Sequence, residues 1–290
     1  MKAEVANVTA CIDTATKQIA GALGLEKREA RLEAQILASC ALKVNRAWLI
    51  AHDRDMLTPT QADAVEALIA RREQGEPVAY ILGEKEFYGR LFRITPDVLI
   101  PRPETELLVE AALERLPKDR PAQVLDLGTG SGCVAVTLAL ERPDCEVSAV
   151  DMSITALGIA RENAALLGAG HVRFIVSDWY AQLAPMNFDM IISNPPYIAS
   201  DDPHLGKGDL RHEPLHALAS GPAGMDAIST IVAGAQARLQ PGGWLILEHG
   251  YDQAAACYDL ICLAGLGQVF TLSDLAGQTR VTGGQWPGRR

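Results

Sequence analysis

From residue 123 onward, five short apolar runs alternate with helical patterns, and this rhythm constrains the fold more than any other feature of the chain. The runs are QVLDLG (123–128), EVSAVD (146–151), HVRFIVSD (171–178), FDMIIS (188–193) and GWLILEHG (243–250), with stretches such as CVAVTLALE and ITALGIARENAALLG between them. Strands that alternate with helices pair in parallel, and their near-continuous hydrophobicity requires cover on both faces of the sheet. Ligands of such sheets bind beyond the carboxyl ends of the strands, where the strand order reverses. The residues just past those ends are therefore the place to look for chemistry.

The first strand runs into DLGTGSG (126–132). Its glycines Gly128, Gly130 and Gly132, with Thr129 and Ser131 between them, allow a tight turn and close approach of backbone to a bound molecule. The G-x-G-x-G spacing differs from the dinucleotide G-x-G-x-x-G, and no G-K-[ST] follows to make a phosphate-cradling loop. Asp151 closes the second strand, where a carboxylate can accept both hydroxyls of a ribose. Asp178 and Trp179 close the third, offering an acceptor for an exocyclic amine and a flat face for a purine. Plain alternatives exist for each: helix N-caps for the two aspartates and core packing for the tryptophan. Together they favour an adenosyl pocket. After the fourth strand comes SNPPYIAS (193–200), in which Asn194, Pro195, Pro196 and Tyr197 form an unusual way to end a strand, since Gly or Asp would suffice.

A chain of 290 residues with 48% hydrophobic content can bury one large domain and one small one. The first 75 residues read as helices. Val65, Leu68, Ile69 and Arg72 recur at helical spacing behind a Thr58-Pro59-Thr60-Gln61 start that supplies a cap, a Pro at the first position and a capping-box Gln. Leu32, Ile36 and Cys40 mark an earlier helix, which Gly24 separates from another over 8–23. YILGEKEFYGRLFRI (80–94) reads as a β-hairpin turning at 83–85 or 89–90. The expected organisation is a helical recognition domain over 1–75, a hairpin linker over 76–100 and a catalytic domain over 101–290.

The net charge of −10 argues against a partner gripped through its phosphates, each of which calls for a Lys or Arg. Residues 1–75 hold ten basic and ten acidic side chains, a mixture better suited to a protein surface than to nucleic acid. The six cysteines show neither C-x-x-C pairing nor a zinc-like histidine spacing, so reduced thiols and no metal are expected. No signal peptide or apolar run of membrane-spanning length is evident, which gives a cytoplasmic expectation and no membrane partner.

DLGTGSG, a strand-ending Asp and N-P-P-Y after the fourth strand resemble the class I S-adenosylmethionine-dependent methyltransferases that act on planar nitrogens. With PRPETELLVE (101–110), GDLRHEPLHAL (208–218) and the helical N-terminal segment, the resemblance narrows to the protein-(glutamine-N5) methyltransferases, which modify the Gly-Gly-Gln loop of bacterial peptide chain release factors. His212 departs from the family, many members of which carry Tyr or Phe there. The resemblance implies a Rossmann-like α/β fold, S-adenosyl-L-methionine as cosubstrate and release factors as partners. It assigns the cosubstrate to Gly128, Thr129, Gly130, Ser131, Gly132, Asp151, Asp178, Trp179 and Asn194, and catalysis to Asn194, Pro195, Pro196 and Tyr197. A ribosomal-protein glutamine, a nucleic-acid adenine N6 or a non-catalytic adenosyl-binding role are the alternatives.

The chemistry explains the motif. An amide nitrogen is a poor nucleophile because its lone pair is delocalised, so it must be held and polarised. Asn194 can accept one of its N–H groups through the side-chain oxygen and Pro195 the other through its carbonyl, while Tyr197 packs on the amide plane. Glu104 and Glu106 read as acids in the first turn of a helix, Glu213 as a loop end or channel residue, and His249 as a structural histidine. The segment 198–216 reads as a lid or substrate loop.

Overall fold

The computed structural model describes residues 7–288 and divides the chain into two compact units. The first consists of α1 (Val8–Leu23), α2 (Lys27–Leu42), α3 (Arg46–Ala51), α4 (Pro59–Glu73) and α5 (Val78–Leu82), together with residues 206–212 from much later in the chain. Thr58 and Gln61 form the expected capping box, with Pro59 in the first turn of α4. Val65 and Ile69 of α4 pack with Ile12, Ile19, Leu37, Leu49 and Ile81 in one core, each fully buried side chain contributing about 1.5–3 kcal/mol. The helix marked by Leu32, Ile36 and Cys40 exists, but those residues do not form its buried face. Leu32 and Cys40 are exposed, and Ala30, Ala34, Leu37 and Ala38 face inward. Small side chains let neighbouring helices approach closely, so the apolar stripe with the larger residues is the outer one.

Arg72, in α4, is 4% exposed and is saturated with acceptors. Its Nε and Nη2 donate to Glu33 at 2.8 and 3.1 Å, and its Nη1 donates to Asp209 Oδ1 at 2.9 Å and to the carbonyls of Gly75 and Glu76 at 3.3 and 3.1 Å. A buried guanidinium is tolerated only when paired and hydrogen-bonded in this way.

The second unit opens with the hairpin β1 (Glu84–Phe87) and β2 (Arg90–Arg93). Tyr88 and Gly89 form its turn, with φ of 53° and 72°, the double positive φ of a two-residue hairpin loop. The hairpin is therefore shorter than the expected 80–94: residues 80–82 belong to α5, and the turn falls at 88–89 rather than at 83–85 or 89–90, because Glu84 and Lys85 are in β1 and Arg90 is in β2. A 3₁₀ turn, Pro103–Thr105, leads into α6 (Glu106–Arg115). The alternation follows as β3 (Gln123–Leu127), α7 (Cys133–Glu141), β4 (Glu146–Asp151), α8 (Ile154–Leu167), β5 (Arg173–Val176), β6 (Phe188–Ser193), α9 (Leu215–Leu218), α10 (Asp226–Ala235), β7 (Leu239–Glu248), α11 (Ala254–Leu263), β8 (Gly267–Ser273) and β9 (Thr279–Gln285).

Among the described residues these strands form a seven-stranded sheet in the order β5-β4-β3-β6-β7-β9-β8. The first five are parallel, as expected, but β8 and β9 run antiparallel to complete a mixed sheet. Only residues 274–278 separate those two strands, too few for the crossover that a parallel pair needs. The chain leaves β3 for β4 on one side and returns to β6 on the other, so the reversal of strand order lies between DLGTGSG and SNPPY.

Candidate active site

The loop after β3 is held by its neighbours' backbone. The N–H groups of Gly128 and Thr129 both donate to the Val150 carbonyl at 2.9 Å, and Gly130 N–H donates to Asp151 Oδ2 at 2.9 Å. The other oxygen of Asp151 accepts from Ser153 N–H at 2.9 Å, so this carboxylate both shapes the glycine loop and holds Ser153, whose side chain caps the helix after β4. Below it, Asp126 is buried and accepts from the Thr129 hydroxyl at 2.6 Å. Burial pushes its carboxyl up to about 7, against the pull of the Thr129 hydrogen bond and with some help from the Asp151 charge. Gly132 caps α7 at φ 82°, and a Cβ there would lie 3.0 Å from that of Ala160. Both the backbone angle and the close helix packing require glycine at this position.

One recess at the strand ends is walled by Gly128, Gly130, Asp151, Asp178, Trp179, Asn194 and Pro196, all expected there, with Leu99, Met152 and His216 among the rest. A second shares Leu99, Gly128, Gly130 and Asn194 with it and adds Thr105, Asp126, Thr129, Ser131 and Cys133 among others. Gly132, Pro195 and Tyr197 are on the walls of neither. Asp178 and Trp179 stand beyond β5, which ends at Val176 rather than at 178. Trp179 has φ 46°, a strained conformation for a large side chain. Ser177 stabilises it by donating its hydroxyl to the Trp179 carbonyl at 2.7 Å. The result is a ring placed over the loop: a Cβ on Gly128 would be 3.5 Å from it.

Asn194 follows the end of β6, which is tied to β3 by the Ser193 hydroxyl donating to the Leu127 carbonyl at 2.6 Å. Its side-chain Nδ2 donates to Thr105 Oγ1 at 3.1 Å, leaving the side-chain oxygen to face other partners. Tyr197 packs its ring against the sheet core and donates its hydroxyl to Glu248 Oε1 at 3.2 Å. Burial, then the Glu248 charge, push its phenol well above the usual range. Glu248 ends β7 and is 1% exposed; burial pushes its carboxyl up to about 7, opposed by the Thr105 and Tyr197 hydroxyls and by Arg280. The segment after the motif is pinned as well, because Ile198 N–H donates to the Leu218 carbonyl and Ser220 N–H donates to the Ile198 carbonyl, both at 2.9 Å.

Thr105 and Glu248 are the residues that sequence reading missed. A carboxylate closing the apolar run LILE was a usable signal, whereas Thr105 was hidden inside a stretch that reads as an ordinary helix start. Glu213 is buried, pairs with Arg102 and accepts from Ile100 N–H at 3.0 Å, and Glu106 accepts from Tyr88 N–H at 2.8 Å. His249 is buried between the Gly250 carbonyl and the Thr282 hydroxyl, each at 2.8 Å, and burial lowers its pKa. These contacts hold loops and strands together.

The chain matches the methyltransferase small domain over residues 104–207 and the PrmC N-terminal domain over residues 14–83. Among solved structures it is similar to the Thermus thermophilus 16S rRNA N2 G1207 methyltransferase in complex with AdoMet and guanosine, at 25% identity and a TM-score of 0.52 over 70% of this chain and 49% of that one. A methyltransferase from Pyrococcus furiosus shares the fold, at 19% identity and a TM-score of 0.53 over 76% of this chain and 98% of that one. Fold and site define an S-adenosylmethionine-dependent methyltransferase of class I. Release factor glutamine methyltransferases are similar over almost their whole length: that of Bordetella pertussis is 52% identical over 88% of this chain and 94% of its own, and that of Escherichia coli K12 is 43% identical over 88% and 92%. The chain belongs to the release factor glutamine methyltransferase family.

Proposed function

We propose that the protein transfers a methyl group from S-adenosyl-L-methionine to the side-chain amide nitrogen of the glutamine in the Gly-Gly-Gln loop of peptide chain release factors, in the cytoplasm. The observation that carries this reading is the Asn194 side chain, fixed through its nitrogen by Thr105 so that its oxygen is left to accept an N–H from a planar amide. The residues present fit an adenosyl group: Trp179 offers a flat face beside Gly128, Asp151 offers acceptors for ribose hydroxyls, and a Cβ at Gly130 would meet nothing within 4 Å. When bound, S-adenosylmethionine supplies an electrophilic methyl on its sulfonium.

The chain's own residues do the rest by positioning. Asn194 holds the target nitrogen and draws charge out of its N–H bond, and the Pro195 carbonyl is the second acceptor. The two prolines restrict the backbone, so little reorganisation is required during transfer. The net charge of −10 suits a protein substrate better than a phosphate backbone. Incubating purified release factor with the enzyme and S-adenosylmethionine should add one methyl group by intact mass, placed on the Gly-Gly-Gln glutamine by fragmentation. No mass gain, or a methyl elsewhere, would sink the reading.

Replacing Asp151 with alanine should weaken S-adenosylmethionine binding by about ten- to a hundredfold, the value of hydrogen bonds to a charged acceptor. Calorimetry on the folded variant measures this directly. Unchanged affinity would remove Asp151 from the ribose role and leave it only as the brace of the glycine loop.

A further inference from the structure

Glu248 lies at the end of β7, fully buried, in a site otherwise furnished by the glycine loop and the Asn-Pro-Pro-Tyr motif. Its Oε1 accepts from the Tyr197 hydroxyl at 3.2 Å. Its Oε2 is buried and has no hydrogen bond of ordinary geometry among the described residues, and the Thr105 hydroxyl is the neighbouring donor that favours the charged carboxylate. Thr105 Oγ1 in turn accepts from Asn194 Nδ2 at 3.1 Å. The Asn194–Thr105 and Tyr197–Glu248 bonds thus flank an unpartnered buried carboxylate oxygen, and the Thr105 hydroxyl is the donor placed to turn its hydrogen to it.

We propose that Glu248 is the positioning residue of methyl transfer, a buried carboxylate whose charge sets the direction of the hydrogen bonds from Asn194 through Thr105 and so fixes which end of the Asn194 amide faces the substrate. The proposal rests on the function proposed above. An ionised carboxylate can only accept, so in this arrangement its Oε2 accepts a hydrogen bond from the Thr105 hydroxyl. The Thr105 oxygen is then left as an acceptor, and the group it must receive is the Asn194 NH₂. Asn194 is thereby oriented with nitrogen inward and oxygen outward, the orientation in which it can accept from an amide N–H. Protonation of Glu248 removes the constraint: its O–H can donate to Thr105, whose own proton can then go to the Asn194 oxygen. The Asn194 amide is then free to turn its NH₂ outward, where it opposes the N–H of the target. The same carboxylate anchors the Tyr197 ring by its hydroxyl. The charged groups acting on Glu248 besides the Thr105 and Tyr197 hydroxyls are Arg280, which favours its charge, and Glu104, which opposes it; Cys133 faces it as a thiol that burial, with a small push from the Glu248 charge, keeps protonated.

Glu248→Gln is the test, because glutamine keeps the shape and loses the acceptor-only character. The variant should fold, as read by circular dichroism, and bind S-adenosylmethionine within about twofold of the wild type by calorimetry. Its kcat on release factor should fall by about tenfold or more with little change in KM, the scale on which neighbours in one network couple. Wild-type kcat should rise with pH through neutrality, and this rise should be absent in the variant. Tyr197→Phe should also lower kcat, and the double variant should be no worse than the poorer single one. In the ligand-free protein the wild-type melting temperature should fall relative to that of Glu248→Gln as pH rises from about 4.5 toward 7, since a carboxyl whose folded pKa is raised destabilises the fold once ionised. Wild-type kcat and pH profile in Glu248→Gln, a defect confined to cosubstrate affinity, or multiplicative losses in the double variant would each overturn the proposal. Failure of the wild type to methylate release factor would instead overturn the underlying function.

Discussion

Asn194→Ala is expected to lower kcat for methyl transfer by about a hundredfold or more while leaving S-adenosylmethionine affinity within a small factor. One prepositioned electrostatic contact to the reacting group has this value when it is removed. Alanine deletes both ends of the amide: the oxygen proposed to accept the substrate N–H, and the nitrogen whose 3.1 Å bond to Thr105 holds it in place. The glycine loop and Asp151 are braced by the Val150 carbonyl and by each other, so the cosubstrate side of the site keeps its shape. Single-turnover kinetics with saturating release factor, paired with calorimetry for the cosubstrate, separates the two. Near-wild-type turnover at saturation would show that Asn194 does not hold the target nitrogen.

Arg72→Ala should destabilise the helical unit by an amount at the lower end of about 3–5 kcal/mol, the range for removing one member of a buried ion pair. Five hydrogen bonds converge on this guanidinium, and alanine would leave Glu33, with a side chain only 16% exposed, without its cation. Asp209, at 40% exposure, can turn to water, which is why the upper end of the range is not expected. Urea denaturation followed by helix signal would measure the loss. Arg72→Lys should recover only part of it, because an ammonium cannot make the forked contact with Glu33. A change below about 0.5 kcal/mol, ordinary for surface substitutions, would contradict the structural role assigned to Arg72.

Much of the molecule was legible because its signals are local. The capping box at Thr58, the glycine spacing of 128–132 and the proline pair after β6 each act within a few residues, and the structure places them as read. The inner face of α2 was not legible, because Leu32, Ile36 and Cys40 are the more hydrophobic stripe and only packing against neighbours selects the alanines. The antiparallel pair β8 and β9 was missed for a related reason. β8 is partly exposed, and β9 is interrupted by Gly283 and Gly284, which lie against Phe270 and Ile261 where side chains would not fit. In the site, the residues proposed to touch a ligand stand at strand ends and advertise themselves. Thr105 and Glu248 orient those residues from positions far away in sequence, 89 residues from Asn194 and 51 from Tyr197, and no spacing rule reaches that far.

The ion pair between Arg72 and Asp209 spans 137 residues, and its partner segment, 206–212, belongs to the helical unit although the chain has by then built β1 to β6. During synthesis, which proceeds from the N-terminus, α1 to α5 emerge first, with Glu33 ready and Arg72 only partly matched. The final carboxylate arrives after most of the parallel strands have been made. Of the two units, the bundle is thus the one that leaves the ribosome before the other, yet it waits for a segment that comes only after β6, with β7, β8 and β9 still to be made. A gene cut at residue 83 would yield a first fragment that can never complete itself.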